Sequence, residues 1–170
     1  VAPVTLEEMI AEGESDSLEF KSSLRWDIVQ NSLNKKLEDV IVKTISAFAN
    51  SQGGTLLIGV DDEGEILGIE KDYLSLGNAD RDKFELHLRN ILNNQFGTAF
   101  VTSRIFIEFH DMDDRDVCQI EIQPAKEPVV VTLKGNNGQS GEKFYVRSGN
   151  SSQEIPLSQM NAYCKERFDQ

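Results

Sequence analysis

Leu33, Leu37, Val40, Ile41, Thr44, Ile45 and Phe48 recur at helical spacing and form one mostly apolar stripe, which predicts an amphipathic helix over 33–49 that packs on a sheet. Asn50 and Gly53-Gly54 end it, because both residue types tolerate the left-handed backbone of a helix exit. The run TLLIGV at 55–60 is almost continuously apolar, as a strand buried on both faces must be, and so belongs in mid-sheet. The turn residues DDEG at 61–64 and a second short run at 65–69 predict a hairpin over 55–69.

Before this unit, Thr5 and Glu8 make a capping-box pattern for a helix over 5–12 that stops near Gly13. Residues 17–21 alternate, with Leu18 and Phe20 on one face and Glu19 and Lys21 on the other. After it, Phe84, Leu88, Ile91, Leu92 and Gln95 mark a helix over 79–95, with Asp80 and Asp82 at its positive end. Strands are expected at 103–109, 117–122, 128–133 and 143–147, separated by an acidic turn and by the Gly/Asn/Ser loop 134–142. A last helix covers 157–168. The order predicts an α+β fold: a single compact domain over 1–170 with a mixed sheet flanked by helices. A doubly wound nucleotide fold is disfavoured, since strands and helices do not alternate regularly. The G-x-G-x-x-G and Walker A patterns are both missing, and Gly135, Gly138 and Gly141 precede a strand.

Composition narrows the function. A net charge of -12 opposes a broadly basic nucleic-acid surface, leaving room only for a local basic groove and weak, salt-sensitive binding. No membrane span or signal peptide is seen in the sequence, so a cytoplasmic location is expected. Cys118 and Cys164 read as small buried hydrophobes in a reducing compartment, and His87 and His110 as surface residues. With Val as its first residue, the chain reads as a domain excised or processed from a longer protein.

Two places can carry chemistry. Glu12, Glu14, Asp16 and Glu19 surround the first strand, and Asp61, Asp62 and Glu63 occupy the hairpin tip. If the strand lies beside the hairpin, Glu14, Glu19 and one of the aspartates converge as hard oxygen ligands for Mg²⁺ or Mn²⁺, with Lys21 near a phosphate. Spacing alone describes a solvated face and a turn more readily than a metal site. Further on, Tyr145 and Arg147 share a strand face, followed by Ser148, Gly149 and Asn150 in a turn suited to phosphate contacts; a strand with a serine-capped turn reads the same way.

Taken together, Glu14 with Glu19-Phe20-Lys21, the run SAFANSQGG at 46–54, LIGVDDEG at 57–64, Gly68, Pro128-Val129 and Tyr145-x-Arg147-x-Gly149 resemble the Schlafen AlbA-2 domain, also known as the divergent AAA-4 domain. The match spans about residues 7–152. The resemblance implies an α+β domain related to Alba-type nucleic-acid binders, common in bacterial and archaeal regulators and described as DNA- or ATP-binding. In animal members two such lobes form a horseshoe, and some cut transfer RNA with a carboxylate triad and a divalent metal. By motif position Glu14, Glu19 and Asp62 match that triad. The first expectation is a nucleic-acid-binding domain of a bacterial regulatory or defence protein, linked to other domains, with phosphate contacts from Lys21, Arg147, Ser148 and Asn150. The alternatives are a metal-dependent endoribonuclease acting through Glu14, Glu19 and Asp62, and a protein-interaction or homodimerisation module.

Overall fold

A computed structural model describes residues 4–135 and 137–169; the ends of the expected 1–170 domain and one position of the 134–142 loop lie outside the described residues. The Thr5 hydroxyl accepts the Glu8 N–H and the Glu8 carboxylate accepts the Thr5 N–H, so the capping box opens α1 (Leu6–Glu12) as expected. Then come β1 (Leu18–Lys21), the short antiparallel pair β2 (Trp26–Asp27) and β3 (Ser32–Leu33), α2 (Lys36–Ala49), β4 (Gly54–Ile58), α3 (Glu70–Ser75), α4 (Arg81–Phe96) and α5 (Thr98–Arg104). They are followed by β5 (Ile105–Asp111), β6 (Asp116–Ile122), the ladder of β7 (Val131–Lys134) with β8 (Ser140–Lys143), the ladder of β9 (Tyr145–Ser148) with β10 (Ser151–Glu154), and α6 (Leu157–Phe168).

The main sheet is mixed, in the order β1-β4-β6-β5. β1 runs parallel to β4, with Glu19 opposite Leu56 and Lys21 opposite Ile58, whereas β6 is antiparallel to both its neighbours. A parallel neighbour needs a crossover, and α2 supplies it. Leu56, Leu57 and Ile58 are fully buried because β4 is covered on both faces. Ile41, Ile45 and Phe48 of α2 join Leu56, Ile58, Ile120 and the α4 residues Phe84, Leu88 and Leu92 in the larger core. Leu57 turns the other way, into a smaller cluster with Leu6, Leu18, Phe20, Val60 and Val117. The helix stripes and the mid-sheet strand expected from periodicity are therefore present, and the mixed α+β class holds.

Several boundaries differ. The 55–69 hairpin shrinks to a single bridge between Val60 and Ile66, and β4 takes β6 as its antiparallel neighbour instead. Gly59, at φ +105, turns the chain so that its carbonyl accepts the N–H groups of both Leu67 and Gly68, which ends the ladder. The helix expected from residue 33 starts at Lys36, because Leu33 pairs with Trp26. Residues 98–104 are helical, so the following strand begins at Ile105. The strand expected over 128–133 begins at Val131, since the Val129 N–H is taken by the Asn50 side chain. Residues 143–147 divide between β8 and β9 at Phe144. Cys118 is buried as expected, but Cys164 is only half-buried. His87 is not a free surface residue: it lies 2.5 Å from Glu38.

Candidate nucleic-acid interface

The edge strand β1 places its two chemical side chains on the α2 face, at its open border. Glu19 is 7% exposed and meets the guanidinium of Arg147, with Nη1 2.9 Å from Oε1. The same guanidinium donates to the Ser15 carbonyl and to the Ser152 hydroxyl, and sits 4.6 Å from the centre of the Phe48 ring. The Arg147 side chain is 2% exposed. It therefore latches β9 onto β1, and the direct phosphate contact expected of it is not offered by this arrangement. Ser148 and Asn150 stand exposed in the tight turn beyond it, where the Ser148 carbonyl accepts the Ser151 hydroxyl.

Glu14 folds back along β1, and its Oε1 accepts the Phe20 N–H at 2.9 Å. Burial, above all, raises its carboxyl above the usual range; the Phe20 N–H pulls the other way, while Glu19 and Asp62 add to the rise. The three acids expected to form a triad thus share one neighbourhood. Among the described residues, however, no three acid, histidine or cysteine side chains are placed to hold a metal ion. Glu19 already has its charge balanced by Arg147, and Asp62 is exposed on its turn. As arranged, the set does not fit the expected Mg²⁺ or Mn²⁺. Asp61 serves the turn itself, its Oδ1 accepting the N–H groups of Glu63 and Glu65.

Beyond the end of β1 the chain opens a cleft of about 310 Å³, bordered by Lys21, Ser22, Trp26, Ile28, Val29 and Asp62, with α2 along one side. The loop forming its rim is pinned from beneath. Asp72, fully buried, accepts the N–H groups of Leu24 and Arg25 at 2.8 and 3.0 Å, and the Ser23 hydroxyl donates to the Trp26 carbonyl. Burial drives the Asp72 carboxyl upward despite those bonds. On this fixed base Ile28 and Val29 remain exposed, Val29 at 90%, beside the chain's single tryptophan. Sequence reading missed this loop because residues 22–32 carry no period; the available signal was the apolar pair Ile28-Val29 close to a lone Trp that follows Lys21, Ser22 and Ser23.

The motif residues turn out to be one hydrogen-bonded assembly. Asn50, fully buried at the exit of α2, donates to the carbonyls of Val129 and Tyr145 and accepts the Val129 N–H. The Ser51 hydroxyl accepts the Arg147 N–H, and Arg147 reaches Glu19. The Gly-Gly exit is sterically required: a Cβ on Gly53 would lie 2.5 Å from the Ile122 carbonyl oxygen, and one on Gly54 2.5 Å from the Phe48 ring. The result is a mixed sheet whose edge strand is latched, through the exit of α2, to Arg147 of the β9–β10 ladder.

The Schlafen AlbA_2 family model matches residues 14–156, and the chain belongs to that family. The crystal structure of the DIP2311 protein from Corynebacterium diphtheriae resembles it with a TM-score of 0.58 at 20% identity, a likeness of fold. The match covers 89% of this chain and 27% of that one.

Proposed function

We propose that the domain binds nucleic acid at the cleft beyond β1, with a base against Trp26 and a phosphate on Lys21. The observation that carries this reading is the cleft itself: the Trp26 ring, the exposed Ile28 and Val29 and the Lys21 ammonium around about 310 Å³, with Asp27 and Asp62 also on its border. Aromatic stacking contributes roughly 1–3 kcal/mol per base without needing a particular sequence. Lysine supplies the electrostatic share, which salt weakens. Family membership supports the same reading, and the net charge of -12 makes the binding weak and local. In this reading the domain is one part of a longer bacterial regulatory or defence protein in the cytoplasm, and it acts as a homodimer.

Labelled single- and double-stranded oligonucleotides, titrated by anisotropy at low salt against the wild type and the Lys21→Gln/Trp26→Ala variant, test it. Affinity for the single strand should fall at least tenfold in the variant. Equal affinity in a folded variant would reject the cleft.

The rival is metal-dependent cleavage of structured RNA through Glu14, Glu19 and Asp62. It is favoured by the motif match of the three acids and by the position of Glu14, whose carboxylate bonds the Phe20 N–H next to Glu19 on β1. It requires that Arg147 release Glu19.

A further inference from the structure

A second groove, of about 440 Å³, runs on the other flank of α2, between that helix and the β7–β8 ladder. Lys36, Lys43 and Lys134 line it against a single acid, Asp39. Its floor is apolar, formed by Val40, Leu133 and the Tyr145 ring, and the Lys43 ammonium lies 5.4 Å from the centre of that ring. In a chain with 29 acidic residues against 17 basic ones, such a local excess of cations is out of keeping with the surface as a whole.

One of the three, Lys36, also stands where helix electrostatics disfavours a cation. Lys35 occupies the N-cap of α2 and makes no side-chain cap bond, and Lys36 is the first helical residue. Both therefore stand at the positive end of the helix dipole, which prefers acids and finds Glu38 and Asp39 in the same first turn. With three lysines against one acid around it, the groove is suited to an anion, which would offset the mutual repulsion of Lys36, Lys43 and Lys134.

The groove and the Trp26 cleft share a wall. Leu37, Val40 and Ile41 border the cleft, Lys36, Asp39, Val40 and Lys43 border the groove, and Val40 touches both. We propose that the lysine groove is a phosphate-backbone site, so that a single strand seated at Trp26 crosses the crest of α2 and lies along Lys36, Lys43 and Lys134. This rests on the cleft reading and extends it. A duplex would hold its bases away from Trp26, so the bound form is single-stranded. A free polyphosphate shares the same chemistry and is the other source of such an anion.

The test is the salt dependence of oligothymidylate binding, measured by anisotropy at several KCl concentrations. Four proteins are compared: wild type, Lys36→Gln/Lys43→Gln/Lys134→Gln, the control Lys83→Gln/Lys165→Gln, and Lys21→Gln/Trp26→Ala. Each phosphate neutralised on a single strand contributes about 0.7 to the slope of log affinity against log salt. The triple variant should lose about 2 from that slope, and the control should keep it. An unchanged slope in the triple variant overturns the groove. If the triple variant loses slope while the Lys21/Trp26 variant binds normally, the groove stands and the cleft reading falls; if the wild type does not bind, both fall. Sodium tripolyphosphate in the same assay separates the sources: displacement of the oligonucleotide only at concentrations far above its own dissociation constant supports the strand, whereas tripolyphosphate binding tighter than the oligonucleotide overturns it.

Discussion

Arg147 and Glu19 are 128 residues apart and form a buried ion pair at 2.9 Å across the border of the main sheet. Removing one partner leaves the other charged in a site with little water, which typically costs about 3–5 kcal/mol, more than the pair itself contributes. Arg147→Ala and Glu19→Ala should each lower stability by about that much in chemical denaturation. The apolar double substitution Glu19→Leu/Arg147→Met should recover most of the loss. Losses below about 1 kcal/mol in both single variants would mean that the latch is not closed in solution.

Glu14 pays for its position. A folded-state carboxyl raised above 4.5 binds its proton more tightly in the native than in the unfolded chain, so its contribution falls as pH rises through that window. Glu14→Gln keeps an acceptor for the Phe20 N–H and removes the charge facing Glu19 and Asp62. It should raise the melting temperature at pH 7 and change it less at pH 4. Millimolar Mn²⁺ should leave the wild-type melting temperature unmoved and produce no cleavage of transfer RNA. A stabilisation by Mn²⁺ that disappears in Glu14→Gln would instead restore the carboxylate triad and the nuclease reading.

Asp116 works in the opposite sense. Arg81, whose Nη2 lies 2.8 Å from Oδ1, lowers its carboxyl most, and the Tyr73 hydroxyl at 2.6 Å helps, against the opposing effect of burial. A lowered carboxyl contributes stability that is present above the unfolded value near 3.8 and is lost as pH falls through the folded one. Asp116→Asn should therefore flatten the acid limb of the stability curve below about pH 4 and cost about 1 kcal/mol at neutral pH, because Arg81 is largely exposed. An acid limb as steep as that of the wild type would assign acid unfolding to other groups.

How much was legible follows from how local each signal is. The α2 stripe and the TLLIGV run show their burial through periodicity, and β1 does lie beside β4, as the acid pattern required. Arg147 was misread as an exposed phosphate contact for a physical reason. Alternation tells which face of a strand a side chain takes, but a polar side chain facing solvent and one facing a buried partner 128 residues away look the same. The hairpin failed at Gly59, where a positive φ redirected a chain whose residue types favoured a turn and return. The Trp26 loop was silent because its shape is imposed by Asp72, which lies 48 residues beyond Leu24.

Trp26 is the only tryptophan and borders the cleft, so tryptophan-selective fluorescence reports on the immediate surroundings of that ring. A titration with a short unlabelled oligothymidylate at low salt, which adds no competing emitter, reads the central claim directly. The expected result is saturable quenching that weakens as KCl is raised and is lost in Lys21→Gln at the same strand concentration. An emission that stays constant at concentrations where a labelled strand of the same length is bound, as judged by anisotropy in parallel, would place the nucleic acid elsewhere on the domain and contradict the assignment.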